Sequence, residues 1–110
     1  MFISVLICTH KRPDSLRRTL ASLLCPSNVS QGEWEVIVVR EAGCDESTAR
    51  VCDEFAESFP DRARFLVHES RGKSVKMNAA IAEARGGILA MTDDDVSVAP
   101  DYVQAIRAVF

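Results

Sequence analysis

Four short apolar runs, each followed by a polar cluster, constrain this chain more than any other feature. They are "FISVLIC", "WEVIVV", "RFLVH" and "ILAMT". Each is short, largely apolar and bounded by polar or turn residues, the pattern of a strand buried in a sheet. Helical periodicity fills the gaps. Leu16, Leu20, Leu23 and Leu24 follow Pro13, which suits a first helical turn, so a helix is predicted to about Leu24. "CPSNVSQGE" reads as a loop. Val51, Cys52, Phe55 and Phe59 mark one face of a second helix that ends at Pro60. Val75, Ala79 and Ala82, with Ile81 beside them, mark a third, closed by Gly86 and Gly87. A last helix is expected from near Pro100.

Strand and helix therefore alternate. This predicts an α/β fold of Rossmann-like form, a mostly parallel sheet with helices on both faces and right-handed crossovers. In such sheets ligands sit beyond the carboxyl ends of the strands, at a reversal of strand order. The polar clusters "THKR", "REAGCDES", "HESRGK" and "TDDD" all fall at such ends. One shared site is the expectation. No internal repeat or linker divides the 110 residues, which read as a single domain or half-domain. "YVQAIRAVF" runs as an amphipathic helix to Phe110 without a cap, so a fragment of a longer protein is expected.

Charge and cysteine usage narrow the class. A formal net charge of -3 argues against a general nucleic-acid binder, which is usually basic. Cys8, Cys25, Cys44 and Cys52 contain no C-x-x-C pair. They read as reduced thiols in a cytoplasmic protein, with Cys8 a small core residue. "MFISVLICTH" has no basic leader and is followed by "HKRP", unlike a signal peptide. No run approaches the roughly 20 apolar residues of a transmembrane helix. Membrane association is expected only through regions outside this sequence.

The acids Asp93, Asp94 and Asp95 pose the sharpest chemical question. Adjacent carboxylates repel, and burial disfavours their charged form, so something must offset that cost. Asp93 and Asp95 flank one residue at the mouth of a strand. Mg²⁺ typically takes one or two carboxylates plus substrate phosphates, and Mn²⁺ accepts similar ligands. A metal held jointly by protein and diphosphate fits that spacing. Solvated loop carboxylates are the plainer reading. "RGKS" ends like a phosphate-binding P-loop, but Val67 stands where its first glycine would be. Arg71, Lys73 and Lys76 remain a cationic group at a helix start, either solvated or anion-binding. His10 and His68 lack a second ligand at metal spacing and are expected to be structural. Glu41 and Asp45 read as loop acids, and Trp34 as packing.

"ISVLICTHKRPDSLRRTLASLL", "EVIVVREAGCDEST", "RGKSVKMNAAIAEARGGILAMTDDDV" and "PDYV" together resemble the N-terminal half of family 2 glycosyltransferases of the GT-A fold. That resemblance implies binding of a nucleotide-sugar, usually a UDP-sugar, with a saccharide or lipid-linked acceptor. It makes Asp93 and Asp95 similar to the ends of a D-x-D motif that holds Mn²⁺ or Mg²⁺ and contacts the ribose, with Asp94 between them. It places Thr9 in the base pocket and Glu41 where an acid hydrogen-bonds uracil. Lys73 and Asn78 resemble a G-K-x-x-x-x-N pattern near the nucleotide, where Arg71 could add charge. The loop "REAGCD" departs from the family's "DDGSTD"-like loop, with Arg40 in place of the first acid. The general base is expected in the C-terminal half. The rival expectation is a non-catalytic α/β nucleotide-binding or regulatory module.

Overall fold

The computed structural model describes residues 2–43, 45–69 and 72–110. Four strands form one sheet: β1 (Ile3–Thr9), β2 (Trp34–Glu41), β3 (Ala63–His68) and β4 (Ile88–Thr92). All neighbours are parallel and the order is β3-β2-β1-β4. The helices are α1 (Pro13–Leu23), α2 (Pro26–Val29), α3 (Glu46–Ser58), α4 (Lys73–Glu83) and α5 (Tyr102–Val109). The expected parallel α/β architecture is what forms.

The sheet has two unequal faces. Ile3, Val5 and Ile7 of β1 join Val36 and Val38 of β2 on one side. Leu16, Leu20 and Leu23 of α1, Val51 and Cys52 of α3, and Val103 of α5 cover them. On the other side Leu6, Ile37 and Val39 meet Ala80 of α4, with Met77 and Leu66 at the margin. Every residue of β1 is buried, because the central strand has both faces covered. β4 lies at an edge, and α4 packs over β1, β2 and β3. Leu89 and Met91 are therefore exposed, where an apolar run had predicted full burial.

Four local expectations need correction. The loop after α1 contains the short helix α2, started by Pro26 at its first turn. β2 runs on through Arg40 and Glu41, which the sequence reading had left in a loop. They pair with Val67 and His68, and backbone pairing with a neighbour outweighs their polar side chains. Asp45 is a helix cap rather than a solvated acid: its carboxylate accepts from the Thr48 N–H at 3.2 Å and the Thr48 hydroxyl at 2.7 Å. On α4 the inward face is Lys76 and Ala80, flanked by Met77 and Ala84, not Val75, Ala79 and Ala82. Val75, Ile81 and Ala82 are exposed. A helix this weakly amphipathic leaves its rotation to be decided by packing on the sheet.

Behind the sheet, at the end away from the polar clusters, Glu35 is fully buried. It accepts from Ser4 Oγ at 2.7 Å, Arg64 at 3.0 Å and both the backbone and guanidinium of Arg85. Gly86 donates to the same Ser4 hydroxyl at 2.9 Å. A Cβ at Gly86 would lie 2.7 Å from Phe2 O and Ser4 N, so only glycine fits this approach of backbone to strand. Trp34 is buried as expected, its indole donating to Asn28 O at 2.8 Å with the Arg62 guanidinium over its ring.

Candidate functional site

The order β3-β2-β1-β4 reverses direction between β1 and β4, since the chain first steps outward to β2 and β3. This is the switch point at which ligands of such sheets bind. Register then places the acids. Ile7 pairs with Thr92, so the residues after Thr92 come level with Cys8 and Thr9. The turn from β1 into α1 takes three residues and holds Lys11 at a φ of 52°, a left-handed conformation uncommon outside glycine. Arg12, just before Pro13, is thereby turned toward the end of β4.

The three acids differ in environment. Asp94 is 7% exposed; its carboxylate accepts from Thr9 Oγ1 at 2.9 Å and from Arg12 at 3.5 Å. Asp93 and Asp95 are about half exposed and point outward. Asp93 accepts from Lys73 Nζ at 2.9 Å, and Asp95 from Arg12 at 3.3 Å. The Lys73 hydrogen bond holds the Asp93 carboxyl below the usual carboxylate range, and Asp93 in return raises the Lys73 ammonium. The mutual repulsion anticipated from the sequence is thus relieved in the protein itself by two cations and a hydroxyl.

Around them lies an open cleft of about 390 Å³. Cys8, His10, Arg12, Lys73 and Lys76 line it with the three acids. The Cys8 thiol faces it rather than the core alone, donating to the Lys73 carbonyl at 3.7 Å. Burial pushes that thiol's pKa up. His10 Nδ1 meets Glu41 Oε1 at the end of β2, a polar pairing in keeping with its expected structural part. Glu41 is buried, and Asn78 stands exposed on α4. Arg71, also expected at the nucleotide, lies outside the described residues, as does Cys44. Cys8, Cys25 and Cys52 are thiols.

The structure therefore brings Thr9, Lys73, Asp93, Asp94 and Asp95 to one mouth, with Glu41 one strand away. Sequence reasoning passed over Arg12. The signal for Arg12 was its place in "THKR" at a strand end. Lys76, grouped with Arg71 and Lys73 in the sequence as solvated or anion-binding, turns inward and is buried. Among the described residues no group of three His, Cys, Asp or Glu side chains forms a metal cage. Asp93 and Asp95 nevertheless supply hard oxygen donors at a half-exposed mouth, each held by a cation that an ion could displace. That donor set fits Mg²⁺ or Mn²⁺ shared with a phosphate ligand.

Comparison with known proteins agrees with this geometry. The family model of Glycosyl transferase family 2 matches residues 4–110. The chain is 29% identical to the glucosyl-dolichyl phosphate glucuronosyltransferase of Haloferax volcanii, over 96% of this chain and 33% of that protein. It is 27% identical to the beta-monoglucosyldiacylglycerol synthase of Nostoc, over 99% of this chain and 23% of that protein. Among solved structures, the mannosyltransferase PcManGT of Pyrobaculum calidifontis, in complex with GDP-Man and Mn²⁺, superimposes with a TM-score of 0.74 at 26% identity. That match covers 90% of this chain and 29% of the other. TarS of S. aureus shares the fold, with a TM-score of 0.71 at 21% identity over 98% of this chain and 32% of the other. The chain thus spans a third or less of the length of these relatives.

Proposed function

Because this chain belongs to glycosyl transferase family 2, we propose that its cleft is the donor side of a metal-dependent sugar transfer. The donor is a nucleoside diphosphate sugar, with a UDP-sugar as the first expectation, and the acceptor is a hydroxyl of a saccharide or lipid-linked molecule. One observation carries the reading. Acids at the end of β4 and cations from the β1–α1 turn and α4 converge at the reversal of strand order.

In this reading Asp93 and Asp95 hold a divalent cation. When bound, that cation stabilises charge on the departing nucleoside diphosphate. With a divalent cation held by Asp93 and Asp95, Arg12 and Lys73 would be released to donate to the phosphates and add positive charge at the leaving group. Asp94, buried on Thr9, holds the end of β1 in position beside the nucleotide. Glu41 accepts from a base N–H, with Thr9 beside it and Arg71 adding charge. The Mn²⁺ and nucleotide-sugar of the Pyrobaculum structure support this arrangement. The names of the archaeal and cyanobacterial relatives support a lipid-linked or glycolipid acceptor. A cytoplasmic location belongs to the same proposal.

Calorimetric titration of the chain with UDP and with GDP, each with and without Mn²⁺, tests it. Manganese-dependent binding of one nucleotide is the expected outcome. Asp95→Ala should weaken that binding at least tenfold while shifting stability by no more than about 0.5 kcal/mol, as for a surface substitution. Undiminished binding to the variant at saturating Mn²⁺ would remove Asp95 from the site.

A further inference from the structure

We infer that Lys76 is a ligand-binding residue of this cleft, its ammonium donating to a phosphate-type anion. In the donor reading above, on which this rests, that anion is the diphosphate of the nucleotide. Lys76 sits on the inward face of α4 and is only 3% exposed, yet it lines the cleft. Lysine is almost never so buried unless paired. Its Nζ donates to the Thr9 carbonyl at 3.3 Å. An ammonium has three protons, and among the described residues no second acceptor takes another.

Nor does a carboxylate of the described residues form an ion pair with it. The acids of the cleft are already engaged: Asp93 by Lys73, Asp94 by Thr9 and Arg12, Asp95 by Arg12. Lys73 and Arg12 are therefore committed to acids, and among the described residues Lys76 is the cation of the cleft lining with no acid of its own. A buried charge without a counter-charge is unfavourable, and a neutral donor would hold the Thr9 carbonyl at less cost. A negative ligand would supply the missing charge and the missing acceptors together.

The test is Lys76→Met, which keeps the length of the side chain and removes the charge. UDP, uridine and inorganic pyrophosphate are titrated into both proteins at saturating Mn²⁺, and thermal unfolding is followed alongside. The expected result is at least a tenfold loss for UDP and for pyrophosphate, unchanged uridine binding, and a Tm no lower than wild type. A variant that binds UDP as tightly as wild type overturns the inference. Equal losses for uridine and UDP overturn the phosphate assignment, because the contact is then to the base. A lower Tm with unchanged affinity makes Lys76 a structural post for Thr9 and overturns it as well. Wild type that binds pyrophosphate through Lys76 but no nucleotide sinks the donor reading and upholds the anion contact. Wild type that binds neither overturns both.

Discussion

Glu35 shows how one side chain can settle a buried charge. Burial raises its pKa, but the Arg85 N–H, the Ser4 hydroxyl and the two guanidinium groups together outweigh that and hold the carboxyl below the usual range. A depressed pKa means stability that is present above the unfolded value of about 4.3 and lost as pH falls through the folded one. Glu35→Gln should therefore lower stability by about 2 kcal/mol at pH 7, chiefly by leaving Arg64 and Arg85 without their counter-charge. Urea titrations at a series of pH values should show the gap to wild type closing below about pH 4. A gap independent of pH would mean that packing, not charge, is what the carboxylate supplies. Nothing in "WEVIVV" signalled this role. An acid inside an apolar run reads as a strand residue facing solvent, and the arginines that satisfy it come from β3 and the segment after α4.

At the scale of elements, α1 does more than cover the sheet. Thr19 Oγ1 accepts from Val96 N at 3.1 Å, and Ser22 Oγ accepts from Val98 N at 3.0 Å. The segment leaving the acids is thus tied to a helix at the other end of the chain. Thr19→Val should cost about 1 kcal/mol, since a partly buried N–H loses its partner. Hydrogen exchange should quicken at Val96 and stay unchanged at Val103, whose amide bonds to Asn28 Oδ1 instead. Equal quickening at both would show that α5 and the acid segment move as one unit. α1, β4 and the start of β2 were legible in the sequence because leucine spacing and short apolar runs are local signals. The rotation of α4 was not legible, because small residues on several of its faces give packing several choices and only contact with β1 and β2 selects one.

The whole molecule has two apolar clusters on opposite faces of one sheet, and β1 and β2 contribute to both. Neither face can be lost without exposing the strands that support the other. Unfolding should therefore be a single cooperative transition. Trp34 is the only tryptophan and is buried at the start of β2, so its fluorescence reports on the larger cluster. Far-ultraviolet circular dichroism reports on the helices of both faces. Coincident midpoints in urea are expected, and a fluorescence transition that precedes the loss of helix would show that the faces unfold separately.

Strand and helix alternation, the helix start at Pro13, and the grouping of polar residues at strand ends were determined by the sequence alone. They rest on side-chain period and turn chemistry, which act between near neighbours in the chain. Tertiary structure decided the rest. The order β3-β2-β1-β4 set Asp94 against Thr9, 85 residues away. It sent Asp94 inward and Asp93 and Asp95 outward, and it buried the ammonium of Lys76. No local rule specifies which distant strand becomes a neighbour, because that choice is made by the joint burial of both sheet faces.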